Sequence, residues 1–190
     1  MQLSIRPLTD DSWQAFERLF GEKGACGGCW CMWWRLTASQ YDQQKGRANR
    51  QAMRQLVRSG ADLGLLDFDG ETAVGWCAVS PRQALPRLSR SRILKPIDDS
   101  PVWSVVCFFV DKNYRGCGVS GRLLEAAKDW VAAKGGTILE GYPVEPKQQR
   151  VPPLFVYTGL DSVFRQAGFE EVARRSPTRP LMRCDLCGPD

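Results

Sequence analysis

At 190 residues, 43% apolar and 25% charged, the chain reads as one globular domain large enough to bury an ample core. The formal charge of +5 suits an anionic small molecule, and without interleaved exposed aromatics it does not point to nucleic acid. The sequence holds no histidine, which excludes histidine general bases, Ser-His and Cys-His catalysis, and imidazole metal ligands. No apolar run approaches the ~20 residues of a membrane helix, and MQLSIRPLTDD lacks the basic start and apolar core of a signal peptide, so the expected location is the cytoplasm.

Residues 3–8 alternate weakly and read as a first strand. Thr9 to Ser12 offer N-caps for a helix through about Phe20, with an apolar stripe of Trp13, Phe16, Leu19 and Phe20. Residues 21–28 break that pattern, and residues 26–35 then place three Cys and three Trp within ten positions. Residues 43–59 read as one helix closed by Gly60, and residues 63–68 and 72–80 as a hairpin turning at Asp69-Gly70. Residues 81–101 hold four prolines and the cations Arg82, Arg87, Arg90, Arg92 and Lys95. They read as a solvated connection with at most a short helix.

Residues 104–110 are a continuous apolar run, as in a strand buried on both faces. A loop, Arg115-Gly116-Cys117-Gly118-Val119-Ser120-Gly121, follows, and from Val119 a helix runs to Gly135-Gly136. Its face is Leu123, Leu124, Ala127, Trp130 and Val131. Glycines admit an anion to the backbone, and a helix start supplies free N–H groups and a favourable dipole, so strand, loop and helix make an anion cradle. By spacing alone a tight strand-to-helix turn is an equal alternative. Beyond it come a strand at 137–142, a proline-rich mobile loop at 144–156, a short helix at 161–167 ending in Gly168-Phe169, and late strands at 171–174 and 181–183.

Arg115-Gly116-Cys117-Gly118-Val119-Ser120 resembles the pyrophosphate-binding motif of the GNAT acyltransferase superfamily, [RQ]-x-x-G-x-[GA], with Ser120 at the last place. Phe164 to Phe169, an aromatic four residues before Gly-Phe, is similar to the family's second helix signature. The resemblance spans residues 1–183 as a single acyltransferase-like domain, leaving a tail at 184–190. It implies an α+β fold, a mixed and mostly antiparallel central sheet flanked by helices. It also implies an acetyl-CoA-dependent N-acetyltransferase that passes the acetyl group to a primary amine of a small molecule or peptide by direct attack on the thioester. A homodimer is compatible with it.

The resemblance assigns roles. The pyrophosphate falls to Arg115, Gly116, Cys117, Gly118, Val119, Ser120 and Gly121, the pantetheine arm to the strand at Phe108, Phe109 and Val110, and a place beside the cofactor to Phe164. A backbone N–H near Val110 polarises the thioester carbonyl. The acceptor side takes Trp30, Trp33, Trp34 and Arg35 as an aromatic wall with a cation, together with Tyr142; the alternative is that the tryptophans cover the end of the core. Glu140 is the leading general base, ahead of Glu145 and Asp111, which also fits a turn cap. The family's proton-donating Tyr is Phe164 here, so either Tyr157, the first choice, or Tyr142 takes over protonation of the thiolate, or the thiolate takes its proton from water.

Cys77 and Cys107 read as small core residues. Cys26-x-x-Cys29 and Cys184-x-x-Cys187 have zinc-type spacing within each pair, which sets a zinc-clasped interaction protein beside the enzyme as a minor alternative to no metal at all. A non-catalytic acyl-CoA-binding module is the other, suggested by Phe164.

Overall fold

The computed structural model of the protein describes residues 3–147 and 151–187. Its elements are β1 (Leu3–Pro7), α1 (Trp13–Phe20), α2 (Ala38–Gln44), α3 (Arg47–Arg58), β2 (Gly64–Asp69), β3 (Thr72–Pro81), α4 (Pro86–Ser89), β4 (Trp103–Val110), α5 (Val119–Ala133), β5 (Ile138–Gly141), α6 (Asp161–Gln166), β6 (Glu170–Arg174) and β7 (Pro180–Asp185). The strands form one sheet, ordered β1-β2-β3-β4-β5-β7-β6. Every neighbouring pair is antiparallel except β4 and β5. This agrees with the expected α+β class.

Because strand side chains alternate, consecutive residues feed opposite cores. Leu66, Trp76 and Ala78 meet α1 and α3 through Phe16, Phe20, Met53 and Val57. Leu65, Cys77 and Val79 meet α5 and α6 through Leu123, Leu124, Ala127, Val131 and Phe164. Helix α5 comes unusually close: a Cβ at Gly75 of β3 would lie 2.5 Å from Val119 Cγ1. Arg122 of its first turn reaches the buried carboxylate of Asp67 on β2.

The single helix expected at 43–59 is two. Thr37 and Gln40 form a reciprocal capping box that starts α2 early. Gly46, at φ +78°, then separates α2 from α3, and its N–H bonds the Gly28 carbonyl at 3.0 Å. Strand β7 runs through Asp185, so Cys184 pairs with Leu139 inside the sheet, past the strand end expected at 183. Residues 148–150 of the loop expected to be mobile, and residues 1–2 and 188–190 of the expected domain and tail, lie outside the described residues.

One irregularity positions the site. On β4, Val105 pairs with Val79 and Cys107 with Ala78, so Val106 is an extra residue, a β-bulge. Its carbonyl accepts a 3.0 Å hydrogen bond from Trp34 Nε1. The parallel pairing of β4 with β5 covers only Trp103–Val105 against Leu139–Gly141. Past the bulge the two strands part and leave a wedge.

Candidate functional site

Within the wedge, β4 presents an unpaired edge. Antiparallel residues alternate between facing the partner strand and facing away. Asp111 N–H bonds the Val74 carbonyl of β3 at 2.9 Å, so Phe109 also faces β3, while Phe108 and Val110 turn their backbone groups into the wedge. Phe108 N–H donates to the Tyr157 carbonyl at 2.6 Å. The Val110 carbonyl accepts from Arg115 Nε at 3.3 Å.

The chain then turns through Lys112–Tyr114, with Asp111 Oδ1 accepting from Asn113 N–H at 2.8 Å, so Asp111 caps the turn. Gly116 and Gly118 sit at φ +78° and +77°, the left-handed region that glycine takes without strain. Gly118 starts α5, and no side chain caps it. The N–H groups of Val119, Ser120 and Gly121 are therefore free in the way a helix start leaves them. A Cβ at Gly116, Gly118 or Gly121 would meet no protein atom within 4 Å. The protein leaves this space open, as a phosphate resting on the helix N-terminus requires.

These residues line one cleft of about 520 Å³ with Ala25, Cys26, Phe108, Phe109, Val110, Tyr114, Arg115, Val151, Leu154, Val156, Tyr157, Leu160 and Val163. Of the residues expected at the site, Phe108, Val110, Arg115, Gly116, Gly118, Val119, Ser120, Gly121 and Tyr157 line this cleft. Cys117 is exposed on the same loop. Among the described residues, no Asp or Glu lines the cleft.

Phe164 is different. Its ring is fully buried behind the cleft, edge-on to Phe108 at 6.2 Å and Phe169 at 5.0 Å. It fills the point where the strands part: a Cβ on Gly141 would lie 2.0 Å from Phe164 Cε1. The expected place beside the cofactor is corrected to a wedge in the core.

Glu140 and Tyr142 are corrected as well. Neither lines the cleft, and both are wholly buried. Glu140 Oε1 is 2.5 Å from Arg82 Nη1 and 2.5 Å from Tyr142 Oη, and Oε2 accepts from Arg183 Nε at 2.8 Å. A carboxylate held by two guanidinium groups and a phenol has neither the free lone pairs nor the access of a general base. Tyr142 Oη also meets Ser104 Oγ at 2.8 Å, and burial first, then the Glu140 charge, push its pKa well up. Arg82, expected in a solvated connection, is part of this knot, and its Nη2 donates to the Leu94 carbonyl at 2.6 Å. Glu145 forms an ion pair with Arg174 at 2.5 Å.

The tryptophan wall also serves the core. Trp30, 4% exposed, stacks on Phe20 at 5.9 Å against Gly24, where a Cβ would lie 2.3 Å from the indole nitrogen. Trp34 is spent on the bulge. Trp33, 37% exposed, lies edge-on to Tyr41 at 4.9 Å. Arg35 Nη2 donates to the Leu63 carbonyl and Ser80 Oγ, and away from the cleft. Its charge faces Cys31 rather than a carboxylate. A bond from Cys107, and then Arg35 and Trp76 Nε1 (3.2 Å) against the cost of burial, lower the Cys31 thiol to about 7. Cys107 is pushed well up, first by that bond and then by burial. The described residues with positive φ other than glycine are Ala25, Trp30 and Cys31, all in this one loop.

The four zinc-spaced thiols do not gather. Cys29 Sγ donates to the Gly24 carbonyl, Cys184 packs in the α5 core, and among the described residues no group of three or more metal-ligating side chains forms.

Also among the described residues, no helix is long and apolar enough to cross a membrane. The sequence matches the profile of the Acetyltransferase (GNAT) family over residues 30–152, well over half of the chain. No curated protein sequence matches. Solved structures do, at low identity. An acetyltransferase of the GNAT family from Desulfovibrio desulfuricans superposes with a TM-score of 0.55 at 13% identity, covering 97% of this chain and 99% of that one. PaiA N-acetyltransferase from Thermoplasma acidophilum, in complex with coenzyme A, gives 0.54 at 14%, again covering 97% and 99%. Ribosomal-protein-S5-alanine acetyltransferase from Vibrio fischeri gives 0.57 at 12%, covering 99% and 95%. At such identities these likenesses speak for the fold, and the profile speaks for the family. The open strand edge, the glycine turn and the uncapped helix start thus fall within a matched sequence: the chain belongs to the GNAT acetyltransferase family, enzymes that take an acetyl group from acetyl-CoA and pass it to an amine-bearing acceptor.

Proposed function

We propose that this acetyltransferase binds acetyl-CoA along the edge of β4, with the pyrophosphate over Arg115–Gly121, and transfers the acetyl group directly to a primary amine of a small molecule or peptide. The observation that carries this reading is the uncapped start of α5 behind Gly116 and Gly118, in line with the free backbone edge at Phe108 and Val110. The pantetheine arm pairs with that edge as a strand would. The Val110 N–H polarises the thioester carbonyl. The Tyr157 carbonyl now bonded to Phe108 N–H yields that donor as the arm enters, moving the segment from Val151 that lines the cleft.

The amine nitrogen attacks the carbonyl carbon, the C–N bond forms, the C–S bond breaks, and the sulfur leaves as thiolate. Tyr157 protonates it. Burial above all holds the Tyr157 phenol up at about 12, so it keeps its proton at neutral pH. With no carboxylate among the described residues that line the cleft, the amine's own proton passes to water and the free-base fraction sets the rate. This favours an α-amino group, with pKa about 7.7–8.0, over a lysine-type ammonium at about 10.4.

The test is release of coenzyme A thiol from acetyl-CoA in the presence of polyamines, amino acids, aminoglycosides and peptides. The expected outcome is acceleration by one class with an N-acetyl product in the mass spectrum. Background consumption across the panel, by protein that binds acetyl-CoA, overturns the reading.

A further inference from the structure

Two of the thiols at zinc-type spacing, Cys26 and Cys29, stand at the ends of one turn. Cys29 N–H bonds the Cys26 carbonyl at 3.0 Å, and the residues between, Gly27 and Gly28, take φ of +55° and +73°. Positive φ at both central residues is the pattern of a type I′ turn. A β-turn holds its first and last Cα atoms within about 7 Å, and bridged cysteines stand about 4.4–6.8 Å apart at Cα. The backbone thus sets Cys26 and Cys29 at about the separation a disulfide needs. The turn is also anchored. The Gly28 carbonyl accepts from Gly46 N–H and from Asn49 Nδ2, each at 3.0 Å, and a Cβ on Gly28 would lie 2.4 Å from the Gly46 nitrogen. The other Cys-x-x-Cys is built differently: Cys184 lies in β7, and Leu186 N–H still bonds the Thr137 carbonyl at 2.8 Å.

The two thiols of the turn differ in access. Cys26 is exposed and lines the cleft together with Phe108, Val110 and Tyr157. Cys29 is half-buried, and its Sγ donates to the Gly24 carbonyl at 3.4 Å. Burial above all raises the Cys29 thiol, while the backbone N–H groups of Cys31 and Cys26 act against that rise. With an accessible thiol backed by a shielded one, the first meets the oxidant and the second resolves the product.

We propose that Cys26 and Cys29 are a dithiol–disulfide pair on the cleft wall, with small disulfides as the oxidant. Cys26 gives its proton to water, and its thiolate attacks one sulfur of the small disulfide. A bond forms to Cys26 Sγ, the small S–S bond breaks, and one small thiolate leaves and is protonated. Cys29 then loses its proton and attacks Cys26 Sγ. The second small thiolate leaves, and the Cys26–Cys29 bond remains. Two protein thiols are oxidised, and one small disulfide is reduced to two thiols. The consequence concerns the cleft. A group left on Cys26 stands in the space that the lining residues surround; Cys29 removes it and keeps the cleft open.

The test mixes fully reduced protein with glutathione disulfide. Released glutathione is followed, the remaining thiols are alkylated, and the peptides are mapped by mass. The expected wild-type result is about two glutathiones released for each Cys26 that reacts, a Cys26–Cys29 bond, and no glutathione on Cys26. Cys29→Ser, which keeps a donor for the Gly24 carbonyl, should release about one and hold the other on Cys26. Three results overturn the pair: glutathione retained on wild-type Cys26, a bond from either thiol to another cysteine, or an inert Cys26 in protein whose exposed Cys117 reacts. The wild-type map decides even if the variant fails to fold. A second arm rests on the acetyl-transfer reading above. Treated Cys29→Ser should lose measurable acetyl-CoA binding, while wild type treated alike, with any glutathione on Cys117 in common, should keep it. Equal binding by the two treated proteins overturns the protective role of Cys29. No binding by untreated wild type overturns the acetyl-CoA site and leaves the thiol pair standing.

Discussion

On one side of the cleft, Arg115–Gly121 offer backbone N–H groups at a helix start, and the space in front of them is clear of protein. On the other, the Cys- and Trp-rich loop at 26–35 offers large side chains, most of them already engaged: Trp30 on Phe20, Trp34 on the Val106 carbonyl, Arg35 on Leu63 and Ser80. The first side is a local device, in which a few consecutive residues fix both turn and donors. The second is a tertiary one, in which each side chain's role depends on what distant strands bring to it. Unusual composition marked both stretches, yet six of the seven residues of the first line the cleft, against Cys26 of the second.

That contrast can be broken at the buried carboxylate of β5. Glu140→Gln leaves Arg82 and Arg183 facing a neutral amide in a buried setting, and should cost about 3–5 kcal/mol, read as a lower urea midpoint with unchanged slope. Turnover per folded molecule should hold. A fall in kcat without loss of stability would return Glu140 to the role of base. Next in size is Tyr157→Phe, whose hydroxyl makes no hydrogen bond among the described residues. It should lower kcat about 100-fold, at the low end for a general acid, with little change in stability. An unchanged kcat would mean that water protonates the thiolate.

A smaller effect is expected at the bulge. Trp34→Phe keeps the ring but orphans the buried Val106 carbonyl, for a loss of about 1–3 kcal/mol. If the indole bond holds the strands apart, KM for acetyl-CoA should rise with it. Stability falling alone would confine Trp34 to the core. The smallest effect is with pH. Burial lifts Tyr41 and Tyr157 to about 12 and Tyr142 well up, and the Asp69 bond lifts Tyr114. These pKa values lie above the unfolded value of about 10, so their contribution is complete below pH 10 and is lost as pH rises toward 12. Urea midpoints measured across that window should fall, and phenolate absorbance should appear only with unfolding.

The strand–loop–helix unit was legible because its signals are local: an apolar run, three glycines and an amphipathic helix ending at Gly135-Gly136. Helix α2 was also signalled, by Thr37 and Gln40 at capping-box spacing, but a single helix from 43 hid it. Glu140 was not legible. Its strand position suggested a cleft residue, and only the fold brings Arg82, 58 positions away, and Arg183, 43 positions away, onto its two oxygens. Arg82 stayed hidden for the same reason: in sequence it belongs to a basic, proline-flanked connection that looks solvated, yet it is buried on Glu140 and the Leu94 carbonyl.

The central claim, that acetyl-CoA rests on the backbone of Arg115–Gly121, is tested most directly by calorimetric titration of the wild-type protein and the double variant Gly116→Asp/Gly118→Asp. The space around both glycines accepts the new side chains, and Asp takes positive φ at a cost of about 1 kcal/mol per position, so the variant should melt several degrees below the wild type yet be folded at 25 °C. The account predicts one acetyl-CoA site per wild-type chain, with Kd in the micromolar to millimolar range usual for enzyme substrates, and no measurable heat with the folded variant. Equal binding by both proteins would contradict it.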